Sequence, residues 1–215
     1  ANSGRPGPVL IDVPKDVQLA EITLARLPAP TGCEHKRERT SVERKQGTIA
    51  EAARMINTAE RPVLYIGGGI INSNSAGAVR ALAEKNNIPV TTTLMGLGAL
   101  PYDHPLNMGM LGMHGLRYTN MVLDRADLLI ALGVRFDDRA TGKAEQFCPR
   151  ARILHVDIDA SEIEKVKKTH LALHQDIESF MQDVGSLITS NRRKTWLDEI
   201  ASLRDQYPSS IERYD

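Results

Sequence analysis

Three observations predict an α/β fold, a doubly wound parallel sheet of Rossmann-like form. Short apolar runs such as Val63-Leu64-Tyr65-Ile66 alternate with segments whose apolar residues recur every three or four positions, the strand and helix signatures in turn. Such alternation calls for crossover connections and a sheet covered by helices on both faces. Glycines, arginines and acids collect just after the strand-like runs, where this fold class binds its ligands.

The elements follow in order. Val9-Leu10-Ile11-Asp12-Val13 reads as a strand, and residues 16 to 46 read as a surface linker with prolines and a charge cluster at 34 to 39. Ile49, Ala52, Ala53, Ile56 and Ala59 place an amphipathic helix over 47–59. Strands are expected at 63–66, 88–93, 127–132, 153–158 and 171–174, with helices at 75–85, 118–125 and 177–188. Ser161-Glu162-Ile163-Glu164 fits a capping box, which predicts a short helix from Ser161. The organisation expected is a strand and linker segment over 1–46, an α/β domain over 47–190, and a C-terminal helix with a linker over 191–215. The opening without methionine and the turn-forming Tyr207-Pro208-Ser209-Ser210 read as the edges of a middle domain cut from a longer chain.

Composition removes several function classes. With 215 residues, 41% of them hydrophobic and 25% charged, the chain can bury a core, which excludes a disordered or fibrous protein. Lys and Arg number 27, as do Asp and Glu, so there is no basic footprint for nucleic acid. No apolar run approaches the ~18 residues of a membrane span, and no signal pattern opens the chain. A cytoplasmic protein is expected. Cys33 and Cys148 stand apart, which suggests plain thiols and no zinc module.

The strand ends carry the chemistry. Gly67-Gly68-Gly69 lets backbone amides approach a phosphate, although a tight strand-to-helix turn makes the same steric demand. Asn72 replaces the third glycine of the dinucleotide fingerprint, and Thr91-Thr92-Thr93 offers no acid for a ribose, which argues against an NAD dehydrogenase. Five of the seven methionines fall between 95 and 121, within or beside a long glycine-rich stretch. It reads as a loop that either packs on a flat ring or lies beneath a neighbouring domain. His114 in this stretch answers equally to a backbone hydrogen bond. Gly133-Val134-Arg135-Phe136-Asp137-Asp138-Arg139 places two arginines and two acids after an apolar strand. The arginines suit a pyrophosphate or a carboxylate unless the acids neutralise them. Asp157, Asp159 and Asp176 suit ribose or ribityl hydroxyls, or else helix caps.

GRPGPVLIDVPKDV at 4–17, RPVLYIGGG at 61–69, TTLMGLGALP at 92–101, GMLGMHG at 109–115 and GVRFDDRATGK at 133–143 resemble the middle domain of the acetohydroxyacid (acetolactate) synthase family. The likeness extends over essentially the whole chain and is closest to the bacterial catalytic subunit. In this family the middle of three α/β domains binds FAD, which takes no net redox part. The resemblance implies FAD contacts from Arg5, Gly67, Gly68 and Gly69, with Thr93, Leu94 and Met95 beside them. Leu111, Gly112, Met113 and His114 would line the isoalloxazine side, and Gly133, Arg135, Asp137, Arg139 and Ala140 would continue the pocket. Asp157, Ile158, Gln175 and Asp176 would lie near the adenosine half. Met95 stands where some relatives have glutamine.

By the same resemblance Lys15, Met113 and Arg139 face the active site, Arg139 taking the carboxylate of the second 2-keto acid. Thiamine diphosphate and Mg2+ would be bound by domains outside this chain, which has no GDG motif and no metal ligands of its own. Neighbouring thiamine-binding domains, a homo-oligomer and a regulatory subunit are the implied partners. The fragment alone is expected to be inactive. The alternative is a flavin-free scaffold domain of a related decarboxylase or oxidase. A sirtuin-type deacylase would need a four-cysteine zinc module.

Overall fold

The computed structural model describes residues 1, 4–21, 23 and 46–208, which divide into one unit within Ala1–Thr40 and another within Ser41–Asp215. In the first unit the chain is extended and exposed until α1 (Lys15–Leu19), where Gln18 Nε2 donates to the Val13 carbonyl at 2.6 Å. The strand expected at 9–13 does not form. Leu10 is 93% exposed, and an apolar run becomes a strand only when a partner ladder satisfies its backbone. Most of the expected linker, and Cys33 with it, lies outside the described residues.

The second unit holds one six-stranded, all-parallel sheet in the order β3-β2-β1-β4-β5-β6. Its strands are β1 (Pro62–Ile66), β2 (Val90–Thr92), β3 (Asn107–Met110), β4 (Leu128–Leu132), β5 (Arg152–Asp157) and β6 (Leu171–His174). β1 and β4 are buried along their whole length, as central strands covered on both faces must be. Helices α2 (Gln46–Thr58), α4 (Ala76–Asn86) and α7 (Ile177–Gly185) pack on the face presenting Leu64, Ile66, Ile130 and Val156. Helices α5 (Arg117–Arg125) and α8 (Lys194–Gln206) cover the face presenting Val63, Tyr65, Leu129 and Ala131.

Three local expectations change. The glycine- and methionine-rich stretch is not a bare loop, since β3 lies within it and pairs with β2 through an irregular register. Thr91 Oγ1 donates to the Gly109 carbonyl at 2.9 Å and Thr119 Oγ1 to that of Met108 at 2.6 Å, holding this edge strand from two sides. No helix starts at Ser161. The Asp159 carboxylate takes both the Ser161 amide and its hydroxyl, at 2.9 and 2.6 Å, and Glu164 turns left-handed at φ +57°, so the reciprocal cap cannot close. The C-terminal helix, α8, belongs to the packed unit. Trp196, Ile200 and Leu203 are buried, and Trp196 Nε1 donates to the Pro62 carbonyl at 3.0 Å.

Arg193, just before α8, is buried and clamps two helix ends. Its guanidinium donates to the carbonyls of Ile56, Ala59 and Asn86, at the C-termini of α2 and α4, where helices leave carbonyls unpaired.

Candidate cofactor site at the carboxyl edge of the sheet

The chain leaves β1 toward β2 and leaves β4 toward β5, so the strand order reverses between β1 and β4. Ligands of this architecture enter at that switch point. Glycine lines it on both sides. A methyl group built on Gly69 would lie 2.6 Å from Gly133 Cα, and one on Gly67 would lie 2.3 Å from the Gly133 carbonyl oxygen. The amides of Gly67 and Gly69 donate to Leu132 and Gly133 at 3.2 and 3.3 Å. These two glycines therefore serve close packing of β1 and the short helix α3 (Gly68–Asn72) onto β4. Gly68 faces Met95 instead, and a methyl group there would lie 3.1 Å from Met95 Cβ.

After β2, Thr93 is half-buried and its amide donates to the Ile66 carbonyl at 2.9 Å. The turn at Leu94–Gly96 then turns Leu94 and Met95 outward, at 66% and 70% exposure. After β3, Leu111 is buried among the core residues beneath the sheet, whereas Met113 is 74% exposed and His114 is exposed too. Gly112 docks the segment on α6 (Asp138–Thr141), since a methyl there would lie 2.3 Å from the Arg139 carbonyl oxygen. The Met113 amide donates to that same oxygen at 2.9 Å. The structure thus joins the GMHG and RFDDR segments. A cavity of about 300 Å³ lies beside the junction, lined in part by Gly112, Met113, Asn120, Arg139 and Phe147.

After β4 the loop hangs on Phe136. Its ring is buried 5.7 Å from Tyr65, 6.2 Å from Phe147 and 5.1 Å from His155, and its φ of +53° is uncommon for a bulky residue. Fixing Phe136 inward sends Arg135 and Asp137 outward on either side. His155 braces the same loop, with Nε2 bonded to the Val134 carbonyl at 3.0 Å, and burial lowers its pKa. Burial likewise raises the Tyr65 phenol and pushes the Cys148 thiol up to about 12.

The acids and arginines of this loop form no direct ion pair among the described residues. Asp137 caps α6 by accepting from the Ala140 amide at 3.0 Å, and Asp138 accepts from the Arg139 amide at 3.0 Å. Arg135 and Arg139 are exposed and make no salt bridge or side-chain hydrogen bond among the described residues. Farther along the edge, Asp157 accepts from the Asp159 amide at 2.8 Å, and the Ile158 carbonyl pairs with His174 Nε2 at 2.9 Å. Gln175 Nε2 donates to Asp183, and Asp176 caps α7 through the Glu178 amide. Most of these acids hold turns or caps, while the cations remain open. Arg5 and Lys15 lie in the other unit and are exposed. Among the described residues no cluster of His, Cys, Asp or Glu is placed to hold a metal, and no helix is long and apolar enough to cross a membrane.

Residues 49–184, more than half of the chain, match the thiamine pyrophosphate enzyme central domain. The chain belongs to this family. It is 49% identical to the acetolactate synthase isozyme 1 large subunit of Escherichia coli K12 over 213 residues, 99% of this chain and 37% of that protein. It is 42% identical to the chloroplastic acetolactate synthase 1 of Zea mays, over 97% of this chain and 33% of that protein. The acetolactate synthase large subunit of Parasynechococcus marenigrum WH8102 is 42% identical, over 98% of this chain and 35% of that protein. The chain thus spans about a third of the length of these relatives. Of the residues expected from the sequence, Met113 and Arg139 meet at one junction and Arg135 is exposed earlier in the same loop. Two residues that the sequence did not single out are Asn120, bonded to the Gly112 backbone, and Phe136, buried against Tyr65, Phe147 and His155. A polar residue between the apolar positions 118 and 122 of an otherwise amphipathic helix was the available signal for Asn120.

Proposed function

We propose that this chain is the central part of an acetolactate synthase catalytic subunit and holds FAD in an extended pose along the carboxyl edge of its sheet. In the parent protein it would serve the condensation of pyruvate with a second pyruvate or with 2-ketobutyrate, with loss of CO2. The open guanidinium pair of Arg135 and Arg139, at the same sheet edge as exposed Leu94, Met95 and Met113, carries the reading. Planar cations suit a pyrophosphate, and soft apolar side chains suit a flat ring. The residues present therefore fit the flavin: Arg135 and the Gly68 turn on the phosphate side, Leu94, Met95, Met113 and His114 at the ring, Asp157, Ile158, Gln175 and Asp176 toward the adenosine.

Arg139 would fix the carboxylate of the acceptor keto acid so that its carbonyl faces the donor, an orientation effect. Met113 would wall the reacting centre, and Lys15 would serve the same reaction in the parent protein. Thiamine diphosphate with Mg2+, held by other parts of the parent, supplies the electron sink. The chain alone would then be inactive. The reading includes a bacterial cytoplasmic protein, supported by the higher identity to the Escherichia coli subunit, and a homo-oligomeric parent with a regulatory subunit. A flavin-free scaffold is the second reading, favoured by the amides of Gly67 and Gly69 turning inward to β4.

A thermal melt with excess FAD separates the two. The flavin reading expects a rise with FAD, none with NAD, and a smaller rise in Arg135→Ala. No rise in the chain, together with no flavin absorbance in the full-length parent, would leave the scaffold reading.

A further inference from the structure

We propose that Asn120 is a positioning residue that presets Met113 against the Arg139 segment, an inference that rests on the flavin and keto-acid reading for its functional meaning. The Asn120 amide uses both ends on one residue. Its Oδ1 accepts from the Gly112 amide at 2.8 Å and its Nδ2 donates to the Gly112 carbonyl at 3.0 Å. Such a two-point grip engages both peptide planes that flank Gly112 and so fixes the backbone's orientation there as well as its distance. From Gly112 the constraint passes on directly, because the next amide, Met113, donates to the Arg139 carbonyl at 2.9 Å. The base of the clamp is rigid. α5 buries Tyr118, Thr119, Val122 and Leu123 around Asn120, and the Asn120 amide itself donates to Leu116.

Helix stability does not ask for asparagine here, since it is among the weaker helix formers. Nor is the segment held by packing alone. The cavity of about 300 Å³ beside Gly112, Met113 and Arg139 leaves room for the segment to shift once the grip is lost. The clamp, together with the Met113–Arg139 backbone bond, sets where the exposed Met113 side chain stands relative to Arg139, and a ligand touching both meets one prearranged surface rather than two independent ones.

The test uses the full chain with Asn120→Ala, Asn120→Asp and Thr119→Val. Asn120→Asp keeps the shape and one acceptor should the alanine variant fail to fold. Thr119→Val removes the neighbouring bond to Met108 without touching the clamp. Residue-resolved hydrogen exchange is read at Gly112 and Met113, and FAD affinity is measured by titration. Asn120→Ala should lose about tenfold protection at the Gly112 and Met113 amides and about tenfold in FAD affinity, the scale of one net hydrogen bond. Asn120→Asp, which keeps the acceptor for the Gly112 amide but sets an oxygen against the Gly112 carbonyl, should lose protection at Met113 and FAD affinity while Gly112 stays protected. Amides of β1 and β4 should keep their protection, and Thr119→Val should leave FAD affinity in place. Unchanged protection at Met113, or an equal loss of FAD affinity in Thr119→Val, overturns the proposal. Lost protection in the Asn120 variants of a chain that binds no FAD even in its original sequence supports the clamp and counts against the flavin reading instead.

Discussion

Replacing Gly133 by alanine tests the packing of the switch point. Gly133 has φ +60°, and its added methyl would lie 2.6 Å from Gly69 Cα and 2.8 Å from Ile177 Cδ1. The left-handed backbone costs an alanine ~1–2 kcal/mol. Gly69 Cα is backbone and cannot rotate away, so β4 and α3 must part, an overpacking cost of ~1–3 kcal/mol. The total, about 2–5 kcal/mol, corresponds to several degrees up to about 20 °C in Tm at roughly 2–4 °C per kcal/mol for a chain of this size. Gly98→Ala is the control, because Gly98 also has positive φ, +88°, yet nothing lies within 4 Å of its added methyl. Urea denaturation followed by far-UV circular dichroism should show Gly133→Ala weaker than Gly98→Ala by ~1–3 kcal/mol, the overpacking part alone. Equal losses in the two variants would refute the close-packing argument.

Arg193→Met removes three bonds from a buried cation to helix-end carbonyls and should cost about 3 kcal/mol, discounted from the gross sum because the guanidinium's own desolvation is relieved too. Thermal unfolding checks this, and a Tm within about 2 °C of the original would contradict it. Burial depresses the His155 pKa, so the unfolded chain takes up its proton first on acidification. His155 therefore contributes full stability above its unfolded pKa of about 6.5, and that contribution declines as pH falls from there toward the lower folded value. His155→Gln, whose amide reaches the Val134 carbonyl, should flatten the fall between pH 7 and 5; an identical profile by urea titration would count against His155 as its source. Cys148, buried and with its thiol pushed up to about 12, should resist a thiol reagent at pH 8 in a Cys33→Ser background until the protein unfolds. Rapid labelling of the folded chain would contradict its placement.

The parts of the fold that could be read in advance are those whose signal is local. β1 and β4 are continuous apolar runs because both faces are covered, β5 keeps an Ile153-Leu154 and Val156 apolar set, and α2 and α4 carry a 3.6-residue apolar period. β3 is different: Asn107-Met108-Gly109-Met110 has poor strand propensity and becomes a strand through its β2 partner and the hydroxyls of Thr91 and Thr119, contacts from distant parts of the chain. The Ser161 box matched a helix start, but Asp159 two residues earlier captured the amide first. In α8 the spacing of Trp196, Ile200 and Leu203 was visible, yet the charges around it gave the helix a polar look. At the site, residue type announced the arginines, whereas the inward turn of Phe136 at positive φ depends on Tyr65, Phe147 and His155 closing around its ring.

The alternating run from Arg135 to Arg139 shows why charge signs alone could not decide between a salt-bridge cluster and an anion site. A carboxylate at the start of a helix has backbone amides two or three positions ahead of it, within reach of its short side chain. Asp137 takes such an amide, that of Ala140, and Asp138 takes the amide of Arg139 next to it, so one oxygen of each carboxylate is engaged by the backbone rather than by a guanidinium group. Each arginine has a long side chain and no acceptor of its own, and nothing in the α6 backbone binds it in return. Within five residues the acids are thus engaged by backbone amides while both guanidinium groups stay exposed, Arg139 beside Met113. An anion arriving at this edge meets guanidinium groups that no neighbouring acid among the described residues holds in a direct ion pair.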